Sequence, residues 1–170
     1  MVEVPKLSEE EWPEIRKVKA QRNTGWLYVM GLIRALYNSL GEEKACEILA
    51  GFMAQNAKNF FPLGLKIFDI EGNDHRAAAS YFKLADGDVL GMNIEWIEES
   101  PRKVILRYHP PCGLFPDLNE PCATPKMCLA LGNFEFTAVE MIPNVKVTFA
   151  KMLTAGDPYC DIVFEQIEEK

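Results

Sequence analysis

Four cysteines in the second half of this 170-residue chain are the residues whose type and placement best suit chemistry. They are Cys112, Cys122, Cys128 and Cys160, and 9, 5 and 31 residues separate successive members. These intervals match no regular C-x-x-C zinc or ferredoxin pattern, so spacing alone is a weak metal signal. The fifth thiol, Cys46, lies in an apolar helical stretch and is expected to be a small buried hydrophobe.

Two kinds of chemical site suit these thiols. Three of them lie in a Pro-rich loop over residues 109–125 or in the helix N-terminus predicted after it, where backbone N–H groups and the helix dipole lower a thiol pKa. A thiolate there could act as a nucleophile, with His109, three residues before Cys112, as its base. Three or four thiolates, with His109 or an acidic residue, could instead bind zinc or an iron–sulfur cluster. Separate buried thiols are the remaining alternative.

Other catalytic signatures are absent from the sequence. It contains no G-x-G-x-x-G, P-loop, G-x-S-x-G or H-E-x-x-H motif. Its two histidines, His75 and His109, are too few for a mechanism that needs several imidazoles. His75 stands beside Arg76 at a predicted helix start, so we expect it to be a capping or surface residue.

The composition is that of one globular domain over residues 1–170. Apolar residues make up 48% and charged residues 25% of the chain, close to the globular average. A net charge of −7 argues against binding to nucleic acids or anionic membranes, because both demand a basic surface. The N-terminus lacks the apolar region of a secretory signal, and the longest apolar stretch, residues 26–40, is too polar to span a bilayer. We therefore expect a cytoplasmic protein with reduced thiols.

The first half, residues 1–88, is predicted to be mainly helical. Ser8, followed by three glutamates, is typical of a helix N-cap. Three further helices are predicted: one that opens at Asn23 or Thr24 and runs to about Leu40, one over 42–61 and one over 74–84. Gly41 separates the first two of these, and Pro62 with Gly64 is expected to end the second.

The second half, residues 89–170, changes to the two-residue period of strands. Four strands are predicted, over about 92–97, 104–108, 145–153 and 160–167. A helix over 127–141, ended by Pro143, lies between the two pairs. The order β-β-α-β-β after the N-terminal helices predicts an α+β fold, in which the helices pack on a four-stranded antiparallel sheet.

Two stretches of the second half resemble a known family. They are Val104-Ile-Leu-Arg-Tyr-His-Pro-Pro-Cys112, followed by Pro121-Cys122, and Gly156-Asp-Pro-Tyr-Cys-Asp-Ile-Val-Phe-Glu165. With them the chain resembles the L-2-amino-thiazoline-4-carboxylic acid hydrolase-like family and the related vinyl-4-reductase-type small-molecule-binding domains, over roughly residues 24–167 in layout. It departs from their pattern in its long Pro-rich insert between Cys112 and Cys122, and in Thr154-Ala155 before Gly156, where an arginine or a similar residue is frequent.

The resemblance implies a ligand pocket between the helices and the sheet. The residues carried over to that site are Cys112, Cys122, Gly156, Asp157 and Cys160. The hydrolase opens a thiazoline ring to N-carbamoyl-cysteine, whereas some of the sensor domains hold zinc with cysteines in this region. A hydrolase of a small cyclic amidine or amide C–N bond would use Cys112 or Cys122 as nucleophile and Asp157 as an orienting or acid–base group, without a cofactor.

The main alternative is a small-molecule-binding or sensor domain without catalysis. Its zinc or iron–sulfur ligands would be Cys112, Cys122, Cys128 and Cys160. The aromatic residues expected to line its apolar pocket are Trp26, Tyr37, Phe52, Phe134 and Phe136. A third interpretation, an interaction domain without a small-molecule site, rests on the acidic charge alone. We expect a small molecule as the binding partner and no binding to nucleic acids or membranes. The sequence is also compatible with a homodimer.

Overall fold

The computed structural model describes residues 14–168, with side chains from residue 20 onward. Its helices and strands, in chain order, are α1 (Glu14–Ile67), α2 (His75–Phe82), β1 (Ile94–Ser100), β2 (Lys103–Tyr108), α3 (Pro125–Leu131), α4 (Asn133–Glu140), β3 (Val145–Lys151) and β4 (Cys160–Gln166). A π-helical segment, Lys83–Val89, follows α2, and a 3-10 turn, Leu153–Ala155, precedes β4. This order confirms the predicted α+β fold. The N-cap predicted at Ser8 lies outside the described residues.

Helix α1 is one long helix that changes direction at Gly41. The backbone there has φ 76° and ψ 167°, a conformation that glycine adopts without the steric penalty of a Cβ atom. The break predicted at Gly41 is therefore confirmed, as a kink between two helical arms. The helix start predicted at Asn23 or Thr24 is wrong, because the chain is continuously helical from Glu14 through that point.

The end of α1 also differs from the prediction. Pro62 is exposed and lies inside the helix, which continues to Ile67. Packing holds this last stretch in place: Phe61 is 1% exposed, and a Cβ on Gly64 would lie 2.3 Å from Cε2 of Tyr81. Close contact with α2 thus outweighs the helix-breaking tendency of proline.

Helix α2 begins at an aspartate cap. The carboxylate of Asp74 accepts hydrogen bonds of 2.9 Å from the backbone N–H groups of Arg76 and Ala77. His75, predicted to be a capping or surface residue, is instead 4% exposed, and neither ring nitrogen has a hydrogen-bond partner among the described atoms. That prediction is wrong because Asp74 caps the helix and the first turn is buried in the interior.

The sheet has the strand order β1-β2-β4-β3, with every neighbouring pair antiparallel. On the inner face of its central pair, Val104 stands opposite Phe164 and Leu106 opposite Ile162, and all four are buried. The helix predicted over 127–141 forms as two helices, α3 and α4, that meet at Gly132. The β-β-α-β-β order is otherwise as predicted.

The interior consists of two groups of buried side chains. One lies between the sheet, α2 and α4 and includes Phe82 and Phe164; the other lies between α1, α3 and the loop after β2 and includes Ile33 and Phe115. Residues from both groups line one large cavity. Within the described part of the chain, no helix is long and apolar enough to cross a bilayer.

Candidate functional site

A cavity of about 580 Å³ separates α1 from the inner face of the sheet. This volume lies within the range of small-molecule sites in proteins. Most of its wall is apolar and includes the side chains of Trp26, Ile33, Phe68, Phe82, Phe134 and Phe149. Five further apolar side chains of α1 line the cavity and are also exposed, namely Val29, Phe52, Phe60, Leu63 and Ile67. The cavity therefore opens to solvent along α1.

Local features of the sequence shape this wall. A Cβ on Gly132 would lie 2.6 Å from Cζ of Phe149, so the glycine lets the aromatic ring approach the junction of α3 and α4. The rings of Tyr81 and Phe134 stack with centroids 6.1 Å apart, and Phe82 meets Phe134 edge to face at 6.0 Å. Such pairs hold the aromatic wall in place.

Two carboxyl groups stand in the mostly apolar wall. Asp86 belongs to the π-helical segment, and Glu135 belongs to the first turn of α4. The hydroxyl of Tyr108, at the end of β2, donates a hydrogen bond of 2.8 Å to Oδ2 of Asp86. No described side chain donates a hydrogen bond to Glu135, and no lysine or arginine is among the described residues that line the cavity.

Burial changes the acid–base properties of this pair. It raises the pKa of Asp86 to about 6, although the hydrogen bond from Tyr108 acts in the opposite direction. Burial also raises the pKa of Glu135 to about 8, and the negative charge of Asp86 adds to the effect. Near neutral pH the two groups therefore share at least one proton, as is typical of carboxyls that lack a cationic partner.

Three of the predicted site cysteines line this cavity. Cys112 Sγ accepts a hydrogen bond of 3.3 Å from the N–H of Phe115, and Cys160 Sγ accepts one of 3.2 Å from the N–H of Leu153. Cys128 Sγ accepts one of 3.3 Å from the hydroxyl of Thr154. The structure thus brings together three of the four thiols that sequence reasoning grouped.

Cys122 lies apart from them. It is buried in the group of side chains between α1 and α3, outside the cavity wall. Its thiol lies 3.8 Å from Oε2 of Glu120, whose carboxylate receives Nε and Nη2 of Arg34 at 2.5 and 2.7 Å. This bidentate ion pair ties the Pro-rich loop to α1, next to the buried Cys122.

The expected activation of the thiols is not found. Burial raises the pKa of Cys128 to about 12 and also raises the pKa of Cys122 and Cys160. For Cys122 and Cys128, the prediction that the loop and the helix N-terminus lower the thiol pKa is wrong, because desolvation of the thiolate outweighs the helix dipole. Cys112 is only half-buried and remains the most accessible of the cavity thiols, together with Cys160.

His109 and Asp157 have separate partners. His109 lines the cavity, and its Nε2 lies 3.1 Å from Oε2 of Glu95, with no hydrogen bond to Cys112 among the described contacts. Asp157 is not part of the cavity wall; its Oδ2 accepts a 2.8 Å hydrogen bond from the N–H of Met152. That bond stabilises the turn before β4, in which Gly156 has φ 92°.

The proposed metal ligands do not form a recognisable centre. Among residues 14–168, no group of three or more His, Cys, Asp or Glu side chains is arranged to hold a metal ion. The thiols of Cys112, Cys128 and Cys160 share one cavity, but the geometry as it stands does not fit zinc or an iron–sulfur cluster. The metal interpretation stays a prediction.

Sequence reasoning missed both carboxyl groups. Glu135 stands between Phe134 and Phe136, and a charged residue flanked by two phenylalanines in a short helix is the signal that could have found it. Asp86 follows the predicted end of α2 and carries no comparable signal. Of the aromatic residues expected in the pocket, Trp26, Phe52 and Phe134 line the cavity, whereas Tyr37 and Phe136 pack against the core.

Comparison with known proteins supports the fold. No family model and no curated protein matches the sequence. A trafficking protein particle complex subunit 3 from Naegleria fowleri, solved covalently bound to palmitic acid, is similar with a TM-score of 0.60 and 16% identity, over 91% of this chain and 98% of that one. An H-NOX protein from S. oneidensis in its Fe(II)NO state has a TM-score of 0.49 and 11% identity, over 82% and 74% of the two chains. At these identities the likeness concerns the fold alone, and neither neighbour names the thiazoline hydrolase family.

Proposed function

We propose that this chain binds an apolar small molecule in the cavity between α1 and the sheet. The observation that carries the proposal is the cavity itself, about 580 Å³ of space between two well-packed groups of side chains. Protein interiors are close-packed, and an apolar wall that faces open space lacks the dispersion contacts that a packed core provides. A ligand that fills the space would restore those contacts.

The covalently bound palmitic acid of the Naegleria subunit supports this proposal at the level of the fold. It indicates that a chain of this architecture can be found with a long apolar group attached. The apolar character of the wall in the present chain is the independent observation, because it comes from residues such as Phe82 and Phe149 rather than from the comparison.

Thermal unfolding with n-decanol, an uncharged apolar probe, tests the proposal. A ligand that binds only the folded state at 100 times its Kd stabilises it by about 2.7 kcal/mol, so Tm should rise. Ala85→Trp places an indole in the cavity wall and should abolish the rise. Ala150→Trp, an identical substitution at an exposed position of β3, should leave it unchanged. An equal rise in all three proteins would refute binding in the cavity.

Hydrolysis of a small cyclic amidine or amide is a second candidate. It is favoured by the presence of Cys112 and His109 on the wall of the same cavity. Cys112→Ala should then abolish turnover, whereas Cys122→Ala, a matched change at a thiol outside the cavity, should retain it. Full activity of the Cys112 variant would end the hydrolase hypothesis for this site.

A cysteine-held metal is the remaining candidate, and elemental analysis decides it. Cys112, Cys128 and Cys160 would be its ligands within the cavity, and their thiols would have to move from the positions described above to coordinate an ion. Protein purified without chelator, both with and without oxygen, should contain about one zinc, or the iron of one cluster, per chain. A stoichiometry near zero in both preparations would exclude the metal-binding function.

That the chain forms a homodimer stays a prediction.

A further inference from the structure

The ionisable groups around the cavity are the carboxyls of Asp86 and Glu135, the phenols of Tyr81 and Tyr108, the thiols of Cys112, Cys128 and Cys160, and the imidazole of His109. The two carboxyls are the groups that can supply negative charge near neutral pH, because burial raises the pKa of both phenols and of the Cys128 and Cys160 thiols. None of the described lining residues is a lysine or an arginine. His109 is already paired with Glu95, so it offers no fixed positive charge to a ligand.

Of the two carboxyl groups, Glu135 is the one without a side-chain hydrogen-bond donor. Asp86 has the hydroxyl of Tyr108 as a donor, but no described side chain donates to Glu135. A carboxylate in an apolar environment carries a large desolvation penalty unless donors or a cation compensate it. A ligand that brings such a donor would gain an interaction that the protein alone does not provide.

The aromatic side chains of the cavity wall also favour a positively charged ligand group. Phe134 precedes Glu135 in α4, and its ring stacks on Tyr81 and meets Phe82 edge to face. All three rings line the cavity. The negative face of an aromatic ring attracts a cation, and the attraction strengthens where the cation is removed from water.

Building on the binding function proposed above, we propose that the ligand is an apolar molecule with a basic nitrogen, an amine or amidine, which binds between Asp86 and Glu135. The protonated nitrogen donates to the two carboxylates, and the apolar remainder of the ligand occupies the space between α1 and the sheet. An anionic head group meets two acids and no cation, and is therefore disfavoured at this position.

Three probes with one chain length separate head-group charge from apolar binding. n-Decylamine, n-decanol and n-decanoate, each below its micelle concentration, are titrated into the full chain at pH 7.5. A charge-assisted pair is worth more than a neutral hydrogen bond, so the amine should bind about 10-fold or more tightly than the alcohol. The carboxylate should bind more weakly than the alcohol.

Substitutions locate the effect. Glu135→Gln and Asp86→Asn should each reduce the preference for amine over alcohol about 10-fold while leaving the alcohol affinity nearly unchanged. Glu140→Gln, the same change at an exposed residue of α4, is the matched control and should retain the full preference. Ala85→Trp fills the cavity without changing the net charge of the protein. Any n-decylamine that still binds to this variant therefore binds to the acidic outer surface.

The outcomes distinguish this inference from the proposed function. Equal affinities for the amine and the alcohol in the unsubstituted protein would overturn the inference and leave apolar binding intact. Failure of all three probes, or undiminished binding to Ala85→Trp, would overturn the binding function itself. If either substitution at the carboxyls prevents folding, the ranking of the three probes on the unsubstituted chain still decides the question.

Discussion

The hydroxyl of Tyr108 lies 2.8 Å from Oδ2 of Asp86 and joins the end of β2 to the π-helical segment Lys83–Val89. Pi-helical turns are rare, and they occur often at functional sites. Here the turn directs a carboxyl group to the cavity wall, and the tyrosine is the donor that holds it there. The position of one of the two cavity carboxyls therefore depends on this contact.

Tyr108→Phe should destabilise the protein in a pH-dependent way. At pH 7.5 Asp86 is mostly ionised, so loss of the donor should lower the free energy of unfolding by about 1–2 kcal/mol. At pH 5 the carboxyl is mostly protonated and the loss should be smaller. Urea unfolding at both values measures the difference, with Tyr28→Phe at a 76% exposed tyrosine as control. The same loss at both pH values would contradict the assigned bond.

Glu135 should make the protein less stable as the pH rises. Its pKa is about 8 in the folded protein and has an ordinary value of 4.5, so the folded state holds this proton more tightly than the unfolded chain. The stabilisation that comes from this tighter proton binding is therefore fully present below about pH 4.5. It is lost as the pH rises through 8. Urea unfolding should show Glu135→Gln more stable than the unsubstituted protein by at least about 1 kcal/mol at pH 8.

The two proteins should have nearly equal stability at about pH 3.5, where Glu135 is mostly protonated in both the folded and the unfolded state. Glu140→Gln should follow the unsubstituted protein throughout, since Glu140 is exposed. Parallel stability curves for the Glu135→Gln variant and the unsubstituted protein would mean that Glu135 is not in an apolar environment.

Binding of an amine should release a proton. A cation beside Glu135 favours its ionised form and lowers its pKa, which is about 8 before binding. At pH 7 up to about one proton should therefore leave the protein per n-decylamine bound. Isothermal titration in two buffers with different ionisation enthalpies measures this number. n-Decanol should show none, and identical amine enthalpies in the two buffers would argue against an ion pair with a buried carboxyl.

An apolar ligand should protect one thiol and not another. Cys112 lines the cavity and is half-buried, whereas Cys122 is buried elsewhere. Saturating n-decanol should slow alkylation of Cys112 by iodoacetamide several-fold at pH 8 and leave Cys122 unaffected, as followed by mass spectrometry. Cys128 should react slowly in either case, because burial raises its pKa to about 12. Equal protection of Cys112 and Cys122 would indicate general stabilisation instead of occupancy of the cavity.

The strands and the sheet could be predicted because their signal is local. Val104, Leu106 and Tyr108 alternate with their neighbours, and a two-residue period places one set of side chains toward the helices. Gly41 could be predicted as a break for a similar reason, since its positive φ suits glycine. Pro62 misled the prediction because the contact between Gly64 and Tyr81 that overrides it joins distant segments.

The site could be predicted only in part, because its residues converge over long stretches of chain. Cys160 comes near the loop that carries Cys112 because β2 pairs with β4, and the strand pattern predicted that both hairpins join one sheet without giving this pairing. Cys122 lies outside the cavity wall, next to the ion pair between Arg34 and Glu120. These two residues are 86 positions apart, and the periodicity of the sequence does not predict such a contact. Asp86 and Glu135 were not predicted for the same reason. Each becomes unusual only because the fold places its carboxyl group in a mostly apolar wall.

A crystal structure of the full chain grown with 10-bromodecan-1-ol tests the central claim most directly. The bromine can be located by its anomalous scattering, independently of any interpretation of weak density. The account predicts one dominant bromine peak inside the cavity, within van der Waals contact of side chains such as Phe82 and Phe149. A peak only on the outer surface of the sheet, with the cavity filled by water or by collapsed side chains, would contradict it.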